Sequence, residues 1–270
     1  NMKIIEIPFT PDRRVRLTGY IQEPSKEMKT AAKKPAVLVF PGGAYMFLSD
    51  REAEPIALAY AAEGFQTFVL YYSIGEFAHG FQPLAEAEKA LKMIRDNSEE
   101  WYVYPDKIAV CGFSAGGHLA CALGLMGKER PNTMVLCYPA IDFGKVESGH
   151  VDKDYIIRNL LGKENYTQEE VDKLSLHLQV KSDAPPAFIW HTFDDDVVEV
   201  THTTKLAMAL AEKHIPFEYH LFQEGKHGMS LAKHHTASGR SFNVDPIAAK
   251  WFEMSVDWLY RRFGYPAVDE

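Results

Sequence analysis

The sequence predicts an α/β fold, in which a mostly parallel β-sheet is covered by α-helices on both faces. Residues 36–40 form an unbroken apolar run, as is typical of a strand that is buried on both faces. Farther along, apolar residues recur at helical spacing, at Leu84, Ala87, Leu91 and Ile94. Strand-like and helix-like segments then alternate to the end of the chain, which is the pattern of parallel strands joined by helical crossovers.

Each element follows from its own pattern. Strands are predicted at residues 3–9, 14–22, 36–40, 65–72, 107–111, 133–138, 186–191 and 217–222. Helices are predicted at residues 52–63, around 84–94, and at 114–125, 203–214 and 246–263. Proline and glycine end several of these segments, as Pro41 does for a strand and Gly64 for a helix.

One long segment interrupts the alternation. Residues 142–183 are rich in charge and carry two short helical patterns, at 155–161 and 168–178. A long segment between sheet strands is often functional, as a lid is, although a packed surface excursion explains it equally well. The length of 270 residues fits one large α/β domain. We therefore predict a single domain over residues 1–270, with a lid-like insertion at 142–183.

The composition argues against several classes of function. The formal net charge is −8 without a basic cluster, which disfavours nucleic acid and anionic membranes as partners. No apolar run approaches the length of a membrane span, and the first residues lack the pattern of a signal peptide. Neither a metal-binding spacing nor a phosphate or dinucleotide motif is present, so no metal and no cofactor is expected. The oligomeric state stays open.

The cysteines bear on the cellular compartment. There are three, an odd number, and each lies in an apolar run: Cys111, Cys121 and Cys137. We expect buried free thiols, which fit a reducing compartment, and we predict a cytoplasmic protein.

The strongest functional signal is Gly-Phe-Ser-Ala-Gly at residues 112–116, between a predicted strand and a predicted helix. A nucleophilic serine needs a very tight turn that leaves its Oγ free at the top of the sheet. Side chains two residues before and after it would collide with neighbouring backbone, which explains Gly112 and Gly116. The N-terminus of the following helix favours negative charge at the same place. The motif predicts Ser114 as a nucleophile.

Serine alone is a poor nucleophile and needs a general base. In folds with this turn, an acid follows the serine along the chain and the histidine follows the acid. The base is therefore expected in a loop after the last strand. His227, within Gly-Lys-His-Gly at residues 225–228, has that place, whereas His234 and His235 lie farther on in a polar stretch. We predict His227 as the base.

The acid that orients this histidine is expected in the loop after the preceding strand. Three carboxylates stand there, Asp194, Asp195 and Asp196. Neighbouring carboxylates cannot all point inward, so one of them at most can meet the imidazole. Spacing alone does not choose among the three.

Ester or amide cleavage also needs donors for a developing oxyanion. One is expected from the N–H of Ala115, directly after the serine. The second is expected from the loop after the strand at 36–40, which reads Pro-Gly-Gly-Ala-Tyr at 41–45. Gly43 and Ala44 are the candidates in this loop.

These motifs resemble those of small esterases of the α/β-hydrolase fold, over nearly the whole chain. More narrowly, the chain resembles acetyl-xylan esterase-like, feruloyl esterase-like and "xylanase B-like" sugar esterases. The segments that carry the resemblance are residues 41–45, 48–57, 112–120, 190–198 and 225–228.

The resemblance adds one residue assignment. Relatives carry an aspartate, any residue, two valines and a proline, and this pattern aligns with residues 195–199. It therefore marks Asp195 as the acid, with Glu199 in place of the proline. Pro41 stands where relatives of hormone-sensitive lipase have histidine, which favours the sugar-esterase branch.

The resemblance also implies an activity. It is that of a serine carboxylic-ester hydrolase, which removes a short acyl group, above all acetyl, from a small-molecule ester of a sugar or oligosaccharide. The alternative within enzymes is a serine peptidase or amidase, with an acyl-peptide or aryl-formamide substrate. A non-catalytic binding protein of the same fold is disfavoured because the candidate serine, acid and histidine are all present.

Bulky residues near the serine predict a short acyl pocket. The candidates are Tyr45, Met46, Phe47 and Phe113. The alcohol side is expected to be wider and more polar, bounded by residues 142–183 and lined by Tyr72 and His118.

Overall fold

The computed structural model describes residues 1–144 and 153–268. In this part of the chain eight strands form one sheet: β1 (Met2–Pro8), β2 (Arg16–Gln22), β3 (Lys34–Phe40), β4 (Gln66–Tyr71), β5 (Val103–Phe113), β6 (Thr133–Cys137), β7 (Ala187–Thr192) and β8 (Phe217–Phe222). The strand order is β1-β2-β4-β3-β5-β6-β7-β8. β2 pairs antiparallel with β1 and β4, and all other pairs are parallel. The predicted, mostly parallel sheet is confirmed.

The described α-helices cover both faces of this sheet. They are α1 (Glu54–Ala62), α2 (Gln82–Asp96), α3 (Ala115–Met126), α4 (Lys153–Leu161), α5 (Gln168–Leu174), α6 (Thr201–Glu212) and α7 (Trp251–Phe263). Short 3-10 helices lie between them, among them Asp50–Glu52 before α1. Sheet and helices together form the predicted α/β-hydrolase fold.

The apolar run at the centre of the sheet is explained by burial on both sides. Along β3 the side chains of Leu38 and Phe40 enter one core cluster, with residues of α2, α3 and α6. Val37 and Val39 enter the other, with residues of α1 and α7. Successive side chains of a strand point to opposite faces, so both must be apolar when both faces are covered.

Three helices are shorter than the sequence predicts, among them α1, which covers Glu54–Ala62 of the predicted 52–63. The closing helix begins at Trp251, because the Asp245 carboxylate accepts the N–H groups of Ile247 and Ala248 at 2.8 and 2.7 Å and holds them in a turn. α5 ends at Leu174, since Ser175 leaves the helical conformation with ψ 96°. A separate 3-10 helix, Leu176–Gln179, follows it.

The predicted lid-like insertion contains α4, α5 and this 3-10 helix. α5 begins with a capping box between Thr167 and Glu170, which satisfies its first N–H groups. Apolar residues of the insertion belong to the main core, among them Ile157, Leu160 and Leu176. Residues 145–152 of the insertion lie outside the described residues. Motion of the insertion as a lid, and the single domain over residues 1–270, stay predictions.

The topology brings the candidate residues to one edge of the sheet. The carboxyl ends of parallel strands meet there, and this is the edge where such sheets bind ligands. The loop at 41–45 follows β3, Ser114 follows β5, Asp195 follows β7 and His227 follows β8. Among the described helices, none is long and apolar enough to cross a membrane.

Candidate active site

Ser114 stands at a strained turn between β5 and α3. Its backbone has φ 54° and ψ −116°, a conformation that residues other than glycine rarely adopt. A Cβ on Gly112 would lie 2.1 Å from the carbonyl oxygen of Gly116, and one on Gly116 would lie 2.1 Å from that of Phe40. Both glycines are therefore required for α3 to pack closely against the ends of β3 and β5.

The structure brings the predicted serine, histidine and acid into contact. Ser114 Oγ donates to Nε2 of His227 at 2.8 Å, and His227 Nδ1 donates to Oδ2 of Asp195 at 2.7 Å. The Asp195 side chain is 1% exposed and that of His227 is 16% exposed. A hydroxyl, an imidazole and a buried carboxylate in this order form the arrangement that activates a serine.

Asp195 is held by four donors. Its Oδ1 accepts the N–H groups of Val197 and Val198 at 3.0 and 2.9 Å. Its Oδ2 accepts from His191 Nε2 at 3.1 Å as well as from His227. Burial opposes ionisation, but the hydrogen bonds and charges of the two histidines outweigh it, and the pKa of the Asp195 carboxyl is lowered.

His191 contacts the candidate acid, an interaction that the sequence indicated only in part. It lies in β7 and orders the loop that follows by donating also to the Val198 carbonyl at 2.9 Å. Its contact with the acid could be anticipated only from the four-residue spacing between His191 and Asp195. The neighbouring carboxylates, Asp194 and Asp196, are exposed and do not reach the site.

The candidate oxyanion donors lie beside the serine. Gly43 has φ 138°, and Ala44 and Tyr45 have φ 55° and 57°, so this loop turns tightly. The Gly43 carbonyl accepts the N–H groups of Met46 and Phe47 at 2.9 and 3.1 Å, which closes the turn. Within residues 1–144 and 153–268, the N–H groups of Gly43, Ala44 and Ala115 have no hydrogen-bond acceptor, so they are available to a bound oxygen.

A small cavity of about 40 Å³ opens beside Ser114. It is lined mainly by apolar side chains, with a polar group at the α6 end: Ala44, Tyr45, Ala115, Ala140, Asp142, Phe143, Lys153, Ile156, Val197, Val198 and His202. His202 Nδ1 accepts the N–H groups of Ile141 and Asp142, at 2.8 and 3.1 Å, and its pKa falls to about 3 because of burial and the nearby Lys153 charge. Sequence reasoning missed this polar group, because residues from three separate elements form it.

Of the predicted pocket residues, Tyr45 lines this cavity and the other five do not. Met46 and Phe47 have exposed side chains, which extend outward from the oxyanion loop. Phe113 lies on the opposite face of the sheet, packed against Tyr138 and Trp251. The expectation that these three shorten the acyl pocket is therefore corrected.

Tyr72 and His118 lie behind the cavity wall. The Tyr72 hydroxyl donates to the Pro41 carbonyl and braces the oxyanion loop. His118 Nδ1 accepts from the Tyr45 hydroxyl at 2.9 Å, and its Nε2 donates to the Leu174 carbonyl at 2.8 Å. Burial lowers the pKa of His118 to about 4, so it is neutral near pH 7. Both residues position other groups rather than line the site, which corrects their assignment to the alcohol side.

The described residues contain no group of three or more metal-ligating side chains. All three cysteines are buried and free, as expected.

The chain belongs to the BD-FAE family, whose model matches residues 21–210. It is 35% identical over 225 residues to "Endo-1,4-beta-xylanase B" from Butyrivibrio fibrisolvens, a match that covers 77% of this chain and 34% of that protein. It is 29% identical over 204 residues to "Acetylxylan esterase" from Xylanibacter ruminicola, covering 73% of this chain and 41% of that protein. The chain thus spans about a third to two fifths of the length of these relatives.

A solved structure extends the likeness to the whole length of this chain. It is MGS-M1, described as an α/β hydrolase enzyme from a Medee basin deep-sea metagenome library. It is 40% identical, with a TM-score of 0.82, and the match covers 96% of this chain and 97% of that one. These findings place the chain among the enzymes of the α/β-hydrolase fold.

Proposed function

We propose that this chain is a serine carboxylic-ester hydrolase that releases short acyl groups, acetyl above all, from esters of sugars or oligosaccharides. The observation that carries the proposal is the hydrogen-bonded series from Ser114 Oγ through His227 to Asp195, with distances of 2.8 and 2.7 Å. Its order supports a role for each residue, because a carboxylate can only accept from Nδ1 of the imidazole, which leaves Nε2 to accept the serine proton.

In the first half of the reaction, Ser114 Oγ attacks the carbonyl carbon of the ester while its proton passes to Nε2 of His227. The resulting imidazolium is stabilised by the ionised Asp195. The tetrahedral intermediate then collapses, and the alcohol leaves with the proton that His227 returns to it. The acyl group stays on Ser114 as an ester.

The second half repeats these steps with water. His227 removes a proton from water, the hydroxide adds to the acyl carbon, and Ser114 leaves with that proton. The products are the free acid and the enzyme in its starting state. In both halves the carbonyl oxygen gains negative charge, and the N–H groups of Ala115 and of Gly43 or Ala44 are the donors for it.

The small cavity beside the serine supports a short acyl group. About 40 Å³ is room for roughly three groups the size of a water molecule, which suits acetyl. Phe143, Ile156 and Val198 bound this space and are buried. A longer acyl chain must leave its methylenes unburied, which forfeits up to about 0.8 kcal/mol for each.

Two further observations support a sugar as the alcohol. Met46, Phe47 and Phe193 have exposed side chains in loops that also carry active-site residues. The flat apolar rings of Phe47 and Phe193 suit the faces of sugar rings. The family relatives named for xylan point the same way. A cytoplasmic location is part of the proposal, supported by the free buried thiols.

A panel of substrates tests the proposal. The specificity constants kcat/KM are measured for p-nitrophenyl acetate and octanoate, for acetylated xylo-oligosaccharides, and for an N-acyl peptide and an aryl formamide. We expect at least tenfold preference for acetate over octanoate, which corresponds to about 1.4 kcal/mol, together with release of acetate from the oligosaccharides. Faster cleavage of the amides would support the peptidase or amidase alternative. A preference for octanoate would contradict the short-acyl assignment.

A further inference from the structure

Glu52 is a buried carboxylate beside the active site for which the mechanism has no role so far. It ends the 3-10 helix before α1 and is 4% exposed. Its Oε1 accepts the N–H of Gly42 at 3.2 Å, and its Oε2 accepts the hydroxyl of Tyr138. The first contact holds the loop that carries the candidate oxyanion donors. Since buried carboxylates are rare unless paired, this position needs an explanation.

The second contact leads to His227. Tyr138 follows β6 with φ 37°, and its ring meets the imidazole of His227 nearly edge to face, with centroids 5.1 Å apart. Its hydroxyl oxygen also accepts the N–H of Ser230 at 2.9 Å, in the loop that carries His227. Tyr138 thus connects Glu52 both to the imidazole ring and to the backbone that presents it.

The neighbouring Arg51 also forms hydrogen bonds with the loop that carries His227. Its guanidinium donates to the carbonyls of Gly228 and Thr236, both at 2.6 Å. Its own carbonyl accepts the hydroxyl of Ser230 at 2.6 Å. The dipeptide Arg51–Glu52 therefore joins the oxyanion loop after β3 to the histidine loop after β8.

The charges around the imidazole come from several elements. Asp195 faces Nδ1 from the loop after β7, Glu52 and Arg51 approach from the 3-10 helix, and Lys226 precedes the histidine and pairs with Asp196 at 3.5 Å. Burial raises the pKa of Glu52, and the Tyr138 hydrogen bond and the charges of His227 and Arg51 partly offset it. An ionised Glu52 acts on His227 in the same sense as Asp195 does.

We propose that Glu52 is a positioning residue of this active site, which fixes the oxyanion loop through Gly42 and the imidazole of His227 through Tyr138, and whose negative charge favours the protonated imidazole formed during the reaction. The inference rests on the proposed function of Ser114 and His227. It assigns a role to the segment at residues 48–57, which the sequence resemblance marked without explaining it.

Glutamine at position 52 separates charge from shape. Glu52 accepts two hydrogen bonds, one on each oxygen. Glutamine has only one oxygen, so either Gly42 or Tyr138 must then face an NH₂ group. The variant therefore removes the negative charge and one of the two acceptor oxygens while keeping the size of the side chain.

The test compares Glu52→Gln with Glu54→Gln, a control two residues farther on with an exposed side chain. The profile of kcat/KM against pH is measured with p-nitrophenyl acetate, and kcat and KM are measured separately at pH 8. We expect Glu52→Gln to lower kcat about tenfold or more with little change in KM. We also expect the midpoint of the acidic limb to move to lower pH by about half a unit, because the protonated imidazole has lost a nearby anion.

Two results would overturn the inference. One is a Glu52→Gln enzyme within twofold of the control. The other is a loss of kcat without movement of the acidic limb, which would mean that Glu52 only supports the fold. If Glu52→Gln does not fold, Tyr138→Phe breaks the same link from its other end, and unchanged kcat in that variant would also contradict the inference.

A second readout separates this inference from the proposed function. A fluorophosphonate reacts at an activated serine, and its rate at Ser114 does not depend on the choice of ester. If Ser114 of the wild-type protein is not labelled, the proposed function and the inference fail together. If it is labelled and Glu52→Gln reacts at the same rate, the inference alone fails. Slower labelling in Glu52→Gln than in Glu54→Gln supports it.

Discussion

Nε2 of His191 lies 3.1 Å from Oδ2 of Asp195, the same oxygen that accepts the hydrogen bond of His227. His191 is completely buried and its Nδ1 is paired with the hydroxyl of Thr203 at 2.8 Å. Oδ2 of Asp195 is therefore held in part by a side chain that does not contact the serine. The Asp195 carboxylate has little freedom to rotate, which keeps its oxygen aimed at the imidazole.

This geometry predicts a sharp difference within the run of three aspartates. Asp195→Asn should lower kcat by orders of magnitude, because an amide at this position favours the wrong imidazole tautomer. Asp194→Asn is the matched control, since its side chain is exposed and its removal leaves the imidazole contact intact. Steady-state kinetics with p-nitrophenyl acetate measures both. An inactive Asp194→Asn together with an active Asp195→Asn would show that Asp194, and not Asp195, is the acid.

The cavity wall predicts control of acyl length by α4. Ile156 and Ile157 both belong to the main core, but of the two only Ile156 also lines the cavity. Ile156→Ala should raise the ratio of kcat/KM for butyrate over acetate by about fivefold or more, since two further methylenes can then be buried at up to about 0.8 kcal/mol each.

Ile157→Ala is the control for this substitution. It removes the same atoms from a buried position and should cost similar stability, about 2 kcal/mol or more, while leaving the ratio unchanged. Equal changes of the ratio in both variants would mean that the cavity does not hold the acyl group.

His118 predicts a dependence of stability on pH. Its pKa is about 4 in the folded protein and 6.5 without the fold, so between these values the unfolded chain binds more protons. Its contribution to the free energy of unfolding is thus complete above pH 6.5 and is lost as the pH falls toward 4. Between pH 7 and 4.5 the loss is about 2 kcal/mol.

Urea unfolding at these two pH values measures this effect. His118→Gln should reduce the difference between the two free energies by about that amount, whereas His235→Gln, at an exposed position, should keep it. An unchanged difference in His118→Gln would show that other groups cause the acid sensitivity.

Most of the fold was predictable because its sequence signals are local. The unbroken apolar run at 36–40 indicated a strand buried on both faces, and the glycines around Ser114 indicated the tight turn that the structure contains. Chain order then placed His227 beside the serine, since parallel strands bring their carboxyl ends to one edge.

The cavity was not predictable in the same way, because its wall depends on packing between distant segments. Phe113 is adjacent to Ser114 in sequence, yet strand alternation turns its side chain to the opposite face. Ile156 and His202 line the cavity although they lie 42 and 88 residues after Ser114 in the chain. Only tertiary contacts, such as those of His202 with Ile141 and Asp142, bring them there.

Covalent labelling tests most directly whether Ser114 is the activated nucleophile. The protein is treated with a fluorophosphonate, and the modified peptide is identified by mass spectrometry. We expect one phosphonylated residue, Ser114, with loss of esterase activity in step with labelling, and no labelling in Ser114→Ala or His227→Ala. Labelling of another serine, or full esterase activity in Ser114→Ala, would contradict this expectation.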